Sequence, residues 1–232
     1  MGIRLVVFDL DDTLFREADF ARSGFAAVAA DLRRRLGLRA DLAGWMIRRY
    51  RRGMRANMFD ALSAHFRLGL SRRELTRLVK LYRNHLPAIR PCRGVPALLA
   101  ALRRRGLKIA LLSDGYMPGQ RNKFQTLGLE RYFDKVVFTE ELGRRAWKPS
   151  PAGFELLQRH FGLAGPACVY VGDNPAKDFI APNRLGWRTI RWRRPASLHY
   201  DQPAAGQADP AARPSRTVRT APELLRVMCK IK

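Results

Sequence analysis

Acidic residues are scarce in this chain. Aspartate and glutamate number 20 against 44 lysines and arginines in 232 residues, a formal net charge of +24. Lysine is also scarce, with eight of those 44 and the other 36 being arginine. Such a field attracts polyanions and anionic substrates. An arginine-biased composition that merely solvates helix faces explains it as well, because no basic run joins a recognisable nucleic-acid-binding motif. Cysteine is rare, and Cys92, Cys168 and Cys229 are odd in number and far apart. That excludes a disulfide framework and a zinc site, and leaves three reduced thiols. No window reaches the roughly 18 unbroken apolar residues of a membrane span. The start of the chain carries one Arg and a short apolar run before the first acid, too little for a secretory signal, and position 6 is Val, not the Ser or Thr of a myristoylation site. A cytoplasmic protein is expected. What is present is ordinary for a folded protein: 47% hydrophobic residues, in a length that suits one large domain or a domain carrying a second module.

The chain changes rhythm twice. Ile3 to Phe8 is a short apolar run that reads as a buried strand. From about Glu17 to Leu86 the apolar period is helical: FAAVAADLRRRLGL closes on Gly37, LAGWMIRRYRRG on Gly53 and NMFDALSAHFRLGL around Gly69. Ser71 to Glu74 forms a capping box for a fourth helix, which Pro87 and Pro91 stop. After Pro91, helices alternate with near-continuous apolar strands: LKIALLSDG, KVVFT, ACVYVGDN and WRTIRW. That alternation predicts an α/β fold, a three-layer Rossmannoid parallel sheet covered on both faces, with a four-helix module inserted. Residues 1–14 and 91–232 make the α/β core and 15–90 the insertion. Residues 194–218 are rich in Pro, Ala, Gly and Gln and read as a flexible loop. Thr220 to Glu223 reads as the capping box of a last helix.

The few acids are distributed unevenly. In LVVFDLDDTLF, Leu5 to Phe15, an apolar run ends in three aspartates within four positions, Asp9, Asp11 and Asp12. Like charges crowded at a strand end repel and resist desolvation. In open parallel sheets, ligands sit beyond the carboxyl ends of the strands. The second predicted strand delivers Ser113, Asp114 and Gly115 there, and the fourth delivers Gly172, Asp173 and Asn174, with Asp178 shortly after. Lys148 and Pro149 precede the helix that leads to the fourth strand. Clustered carboxylates become tolerable when they hold a hard cation through oxygen.

DLDDTL, LLSDG, KPSP and GDNPAKD, in that order, resemble the four motifs of the haloacid-dehalogenase-like hydrolase superfamily, over about Ile3 to Arg193. The resemblance implies Asp9 as a nucleophile that forms an aspartyl-phosphate. It implies Asp11 as the acid that protonates the leaving alkoxide and then as the base for water. Ser113, with the backbone amides of Asp114 and Gly115, would bind phosphoryl oxygens, and Lys148 would neutralise phosphoryl charge and restrain Asp9. Magnesium would be held by Asp9, the carbonyl of Asp11, and Asp173, with Asp178 joining the ion or fixing a ligand water. Thr13 would orient the turn. Asp12 and the Asp114 side chain read as turn residues bonding their own backbone in preference to catalysts.

Within the resemblance, Asp11 favours phosphoryl transfer over dehalogenation, because halide leaves without a proton. The helical insertion is similar to the family's helical cap of the first class. It carries 18 basic against six acidic residues from Phe15 to Arg90, and Arg16, Arg22, Arg48, Arg49 and Arg55 are candidate contacts to an anion. The function implied is a magnesium-dependent phosphatase of a small phosphorylated metabolite. A sugar-phosphate phosphomutase is the nearest alternative. A polyanion-binding protein on the same scaffold is the second, motivated by the charge and by the Trp–Arg stretch from Trp187 to Arg194, whose aromatics could stack on bases. An edge strand with snorkelling arginines explains that stretch as well.

Overall fold

The computed structural model describes residues 2–195, 197–201 and 209–230. They fall into two compact units, Met1–Glu17 with Arg90–Lys232, and Ala18–Ile89. The first break falls three residues beyond the expected one, because Phe15 is fully buried and Lys123 Nζ lies 5.8 Å from its ring centroid, within the larger unit.

The smaller unit is helical. It contains α1 (Glu17–Leu36, less its first residue), α2 (Leu42–Arg51), α3 (Met58–His65) and α4 (Arg72–Asn84). Their apolar stripes meet in one cluster that includes Phe25, Val28, Leu32, Met46, Leu62 and Leu78. The Ser71–Glu74 capping box opens α4 as expected, with both reciprocal bonds present. α3 ends at His65, four residues short of Gly69. Arg67 takes the left-handed conformation (φ 52°), and the amides of Arg67 and Leu68 return to the carbonyls of Ala64 and Ser63. That is a Schellman closure made by a non-glycine residue.

The larger unit is built on six parallel strands: β1 (Leu5–Phe8), β2 (Lys108–Ser113), β3 (Lys135–Phe138), β4 (Cys168–Gly172), β5 (Arg188–Trp192) and β6 (Arg216–Val218). Their spatial order is β3-β2-β1-β4-β5-β6. β1 is central, with Val7 opposite Ala110 on one side and Tyr170 on the other. Strand order reverses across it, which makes β1 the switch point where such sheets open a crevice. The four residues of β1 are all fully buried. Leu5 and Val7 join Phe154 and Leu157 of α7 (Ala152–Phe161) in one cluster, while Val6 and Phe8 alternate to the opposite face. α5 (Val95–Arg104) packs on β2 and on α9 (Ala221–Lys230), and α6 (Gly119–Leu127) and α8 (Ile180–Arg184) complete the helices. Thr220 and Glu223 form the expected cap of α9. No helix among the described residues is long and apolar enough to cross a membrane.

Two expectations fail on the far side of the sheet. Residues 194–218 are not one loose loop: Arg216–Val218 is β6, paired with β5, and Ser197–Tyr200 is tied to the acidic strand ends. Residues 196 and 202–208 of that stretch lie outside the described residues. In consequence β5 is an inner strand. Trp187 and Trp192 are buried, Arg191 is buried too, and Arg194 stacks 3.6 Å from the Trp192 ring centroid. These aromatics offer no face for a base. Composition misled here, because three strand residues between polar turns leave almost no periodic signal.

Candidate active site

Asp9 leaves β1 still in register, its amide bonded to Val171 O of β4 at 2.9 Å. Asp173 and Asp178 come from the turn after β4. Asp9, Asp173 and Asp178 each place a carboxylate oxygen within 4.8 Å of the others, and all three are buried. Gly172 is required beside them, because a Cβ there would run into the Asp178 carboxylate and the Tyr170 ring. Lys148 reaches in from the loop before α7, its side chain 1% exposed. Its ammonium donates to Asp9 Oδ1 at 2.8 Å, Asp178 Oδ1 at 2.9 Å and the Tyr170 hydroxyl at 2.7 Å. Its three protons thereby meet three acceptors.

One cation among three buried carboxylates leaves an excess of negative charge. Burial, with repulsion from Asp178, raises Asp9 to about 6 despite Lys148. Burial and then Asp178 and Asp9 push Asp173 well above the usual carboxylate range. Burial alone would favour the neutral amine of Lys148, yet Asp178 and Asp9 outweigh it and hold the ammonium charged well above its ordinary value. Both oxygens of Asp178 are engaged, Oδ1 by Lys148 and Oδ2 by the Asn174 amide at 2.8 Å. Among the described residues, Asp9 Oδ2 and Asp173 Oδ1 accept no hydrogen bond. The donor set facing the crevice is therefore all oxygen, anionic and short of positive charge, which suits a hard divalent cation.

Asp11 points its carboxylate elsewhere. Oδ1 accepts from Lys123 Nζ at 2.7 Å and Oδ2 from Gln120 Nε2 at 2.8 Å. Gln120 also donates to Ser113 Oγ at 2.9 Å and to Asp114 O. The structure thus joins Asp11 to Ser113 through a side chain of α6, and does not bring its carboxylate into the Asp9–Asp173–Asp178 group. Gly115 has φ 138°, and a Cβ there would meet Gln120 at 2.7 Å. Asp114 is a hub, not an open ligand: Thr139 Oγ1, the Lys148 amide and Lys177 Nζ all donate to it. Burial opposes its charge, but Lys148 and Lys177 overcome that and hold it below its usual range. Asp12 adopts φ 50° and caps backbone, accepting from the Glu17 and Leu198 amides. Thr13 Oγ1 is buried without a hydrogen-bond partner among the described residues.

Several residues of this constellation were not singled out from sequence: Gln120, Lys123, Lys177, Tyr170, Thr139, Arg191 and Ser197. Lys177 had a signal, since it directly precedes Asp178. Gln120 and Lys123 are three apart on α6, so they share a face, but nothing local aims that face at Asp11. Of the arginines put forward in the helical unit, Arg22 pairs with Asp19, Arg48 with Asp41, and Arg55 lies over Tyr50.

Glu17, at the start of α1, is raised to about 7 by burial and by repulsion from Asp11. A carboxyl raised above its unfolded value of 4.5 leaves stability intact below that pH and costs it progressively as pH climbs from there to the folded value, with the full cost present above it. Glu17→Gln is therefore expected to raise Tm by a few degrees at pH 8, with the gain gone at pH 4.5. Thermal melts across that range check it, and an equal gain at both ends would contradict it.

The sequence matches the haloacid dehalogenase-like hydrolase family over residues 3–186. It is similar to the glyceraldehyde 3-phosphate phosphatase of Methanopyrus kandleri, 30% identical over 201 residues that cover 83% of this chain and 84% of that one. It is also similar to the phosphoglycolate phosphatase of Aquifex aeolicus, 28% identical over 81% of this chain and 83% of that one. In fold it superposes on a HAD family hydrolase from Deinococcus radiodurans, solved with bound phosphate and sodium, with TM-score 0.69 at 21% identity, covering 100% of this chain and 98% of that one. Motif order, a sheet with its acids at the switch point, and a family match across four-fifths of the length agree, and the chain belongs to the haloacid dehalogenase-like hydrolases.

Proposed function

We propose that this hydrolase is a magnesium-dependent phosphatase that cleaves a small phosphomonoester through an aspartyl-phosphate on Asp9. The observation that carries the proposal is the state of the Asp9 carboxylate. It stands at the end of the central strand, with one oxygen held by a buried lysine and the other, among the described residues, left without a hydrogen bond. A carboxylate so restrained can present its second oxygen in line to phosphorus. Lys148 would offset charge at the phosphoryl group, and Ser113 with the amides of Asp114 and Gly115 would take its oxygens. Asp11 would give its proton to the leaving alkoxide and later take one from water, with Lys123 and Gln120 fixing its orientation.

Asp9, the carbonyl of Asp11, and Asp173 would hold magnesium, which when bound supplies the positive charge that the three buried carboxylates lack. Asp178, occupied on both oxygens, would position Lys148 and the Asn174 amide. The phosphatase names of the relatives from M. kandleri and A. aeolicus put short phosphorylated sugars and acids first among candidate substrates. The inserted helical unit would serve as a cap that limits access to small molecules.

Purified protein is expected to release inorganic phosphate from a panel of such phosphoesters and from an aryl phosphate in the presence of magnesium. Chelation should remove the activity and added magnesium restore it. Release that persists in chelator would overturn the metal dependence. Isomerisation of a sugar phosphate without release would make the enzyme a mutase.

A further inference from the structure

We propose that Ser197 is a positioning residue for the metal ligand Asp173, and that the segment from Ser197 to Tyr200 is a strap holding it there; this rests on the phosphatase reading above. Asp173 is buried, yet among the described residues its carboxylate accepts a single hydrogen bond, from Ser197 Oγ to Oδ2 at 2.7 Å. That donor comes from beyond β5, 24 positions further along the chain. With Oδ2 committed to the hydroxyl, Oδ1 remains for a cation, and rotation of the carboxylate about its last bond is checked.

Ser197 is itself anchored on both acidic loops. The next amide, Leu198, donates to Asp12 Oδ2 at 2.8 Å, which ties the strap to the nucleophile loop. Arg191, buried on β5, donates through Nε to Asp173 O at 3.3 Å and through Nη2 to His199 O at 2.5 Å, so one guanidinium spans the metal loop and the strap. Asn174 Nδ2 donates to His199 Nε2 at 3.2 Å. Arg193 donates to Tyr200 O at 2.7 Å and lies 4.3 Å from that ring centroid. Five polar contacts over four residues are a built support, not a passing loop. They also give the unusual Asp12 a purpose: its carboxylate joins the start of α1 to the strap.

Groups that hydrogen-bond a metal ligand orient it, a donor to a carboxylate also favours its charged form, and losing one commonly weakens metal binding about 10- to 100-fold. The full-length Ser197→Ala protein should therefore bind Mn²⁺, followed by electron paramagnetic resonance and calorimetry, about tenfold more weakly than the wild type. The magnesium concentration giving half-maximal phosphate release should rise by the same factor, while turnover at saturating magnesium falls by less. Ser197→Thr keeps the hydroxyl and should restore binding. Ser197→Val has the shape of Thr without the donor and should not. Thermal melts of all variants separate loss of the hydroxyl from loss of the fold. A wild type that binds Mn²⁺ and releases phosphate, with Ser197→Val binding as tightly as Ser197→Thr, overturns the strap alone. A wild type that does neither overturns the phosphatase reading and the strap together.

Discussion

Asp9→Asn removes phosphate release and leaves a folded protein. The amide is nearly the shape of the carboxylate but is no nucleophile, so turnover should fall about 10⁴-fold or more, the scale seen when a covalent nucleophile is lost. Packing at the end of β1 barely changes, because the backbone bond to Val171 O does not involve the side chain. Electrostatics there improve: three buried carboxylates become two, and Lys148 keeps Asp178. In chelator at pH 8, Tm should therefore hold or rise. This combination separates chemistry from folding, since a residue needed only for the fold would lower both. Turnover within tenfold of the wild type would end the case for Asp9 as nucleophile.

Lys148→Met produces the opposite pattern, a large loss of stability that a metal ion repairs in part. Lys148 is the ammonium that Asp9, Asp178 and Tyr170 share, and it is buried with them. Methionine fills similar volume but leaves two buried carboxylates without their counter-ion. Breaking a buried ion pair from one side costs about 3–5 kcal/mol, so denaturant midpoints in chelator should shift accordingly. Magnesium at about 100 times its dissociation constant returns up to about 2.7 kcal/mol, because it supplies charge where the ammonium was. Turnover should drop about 10²–10³-fold, as for loss of one group that stabilises transition-state charge. Unfolding that is unchanged in chelator would show that Asp9 and Asp178 do not depend on Lys148.

The two variants probe one site from its two signs of charge, and both signs were readable in the linear chain. Asp9 and Asp173 each follow a short buried strand and Ser113 ends one, so their place at a sheet edge follows from pattern alone. Lys148 and Asp178 lie in loops whose position the helix–strand alternation implies. Gln120, Lys123, Arg191 and Ser197 carry no such mark. Gln120 and Lys123 reach Asp11 only because α6 is rotated to present that face, and Ser197 reaches Asp173 only because the chain doubles back after β5. Gln120, Lys123 and Ser197 are ordinary polar residues whose acidic partners lie more than twenty positions away in the chain, and Arg191 reaches the Asp173 carbonyl from 18 positions away.

By itself, then, the sequence determined the strand order of chemistry: which acids, hydroxyl and lysine stand at the rim of a parallel sheet, because period and burial are local properties that each segment carries with it. Tertiary structure decided how those groups are held: which oxygen of Asp9 stays open, that Asp114 is spent on Thr139, Lys148 and Lys177, and that Ser197 supports Asp173. Those outcomes depend on long-range hydrogen bonds in a low-dielectric interior, where every buried charge must find a partner from whatever the fold brings near.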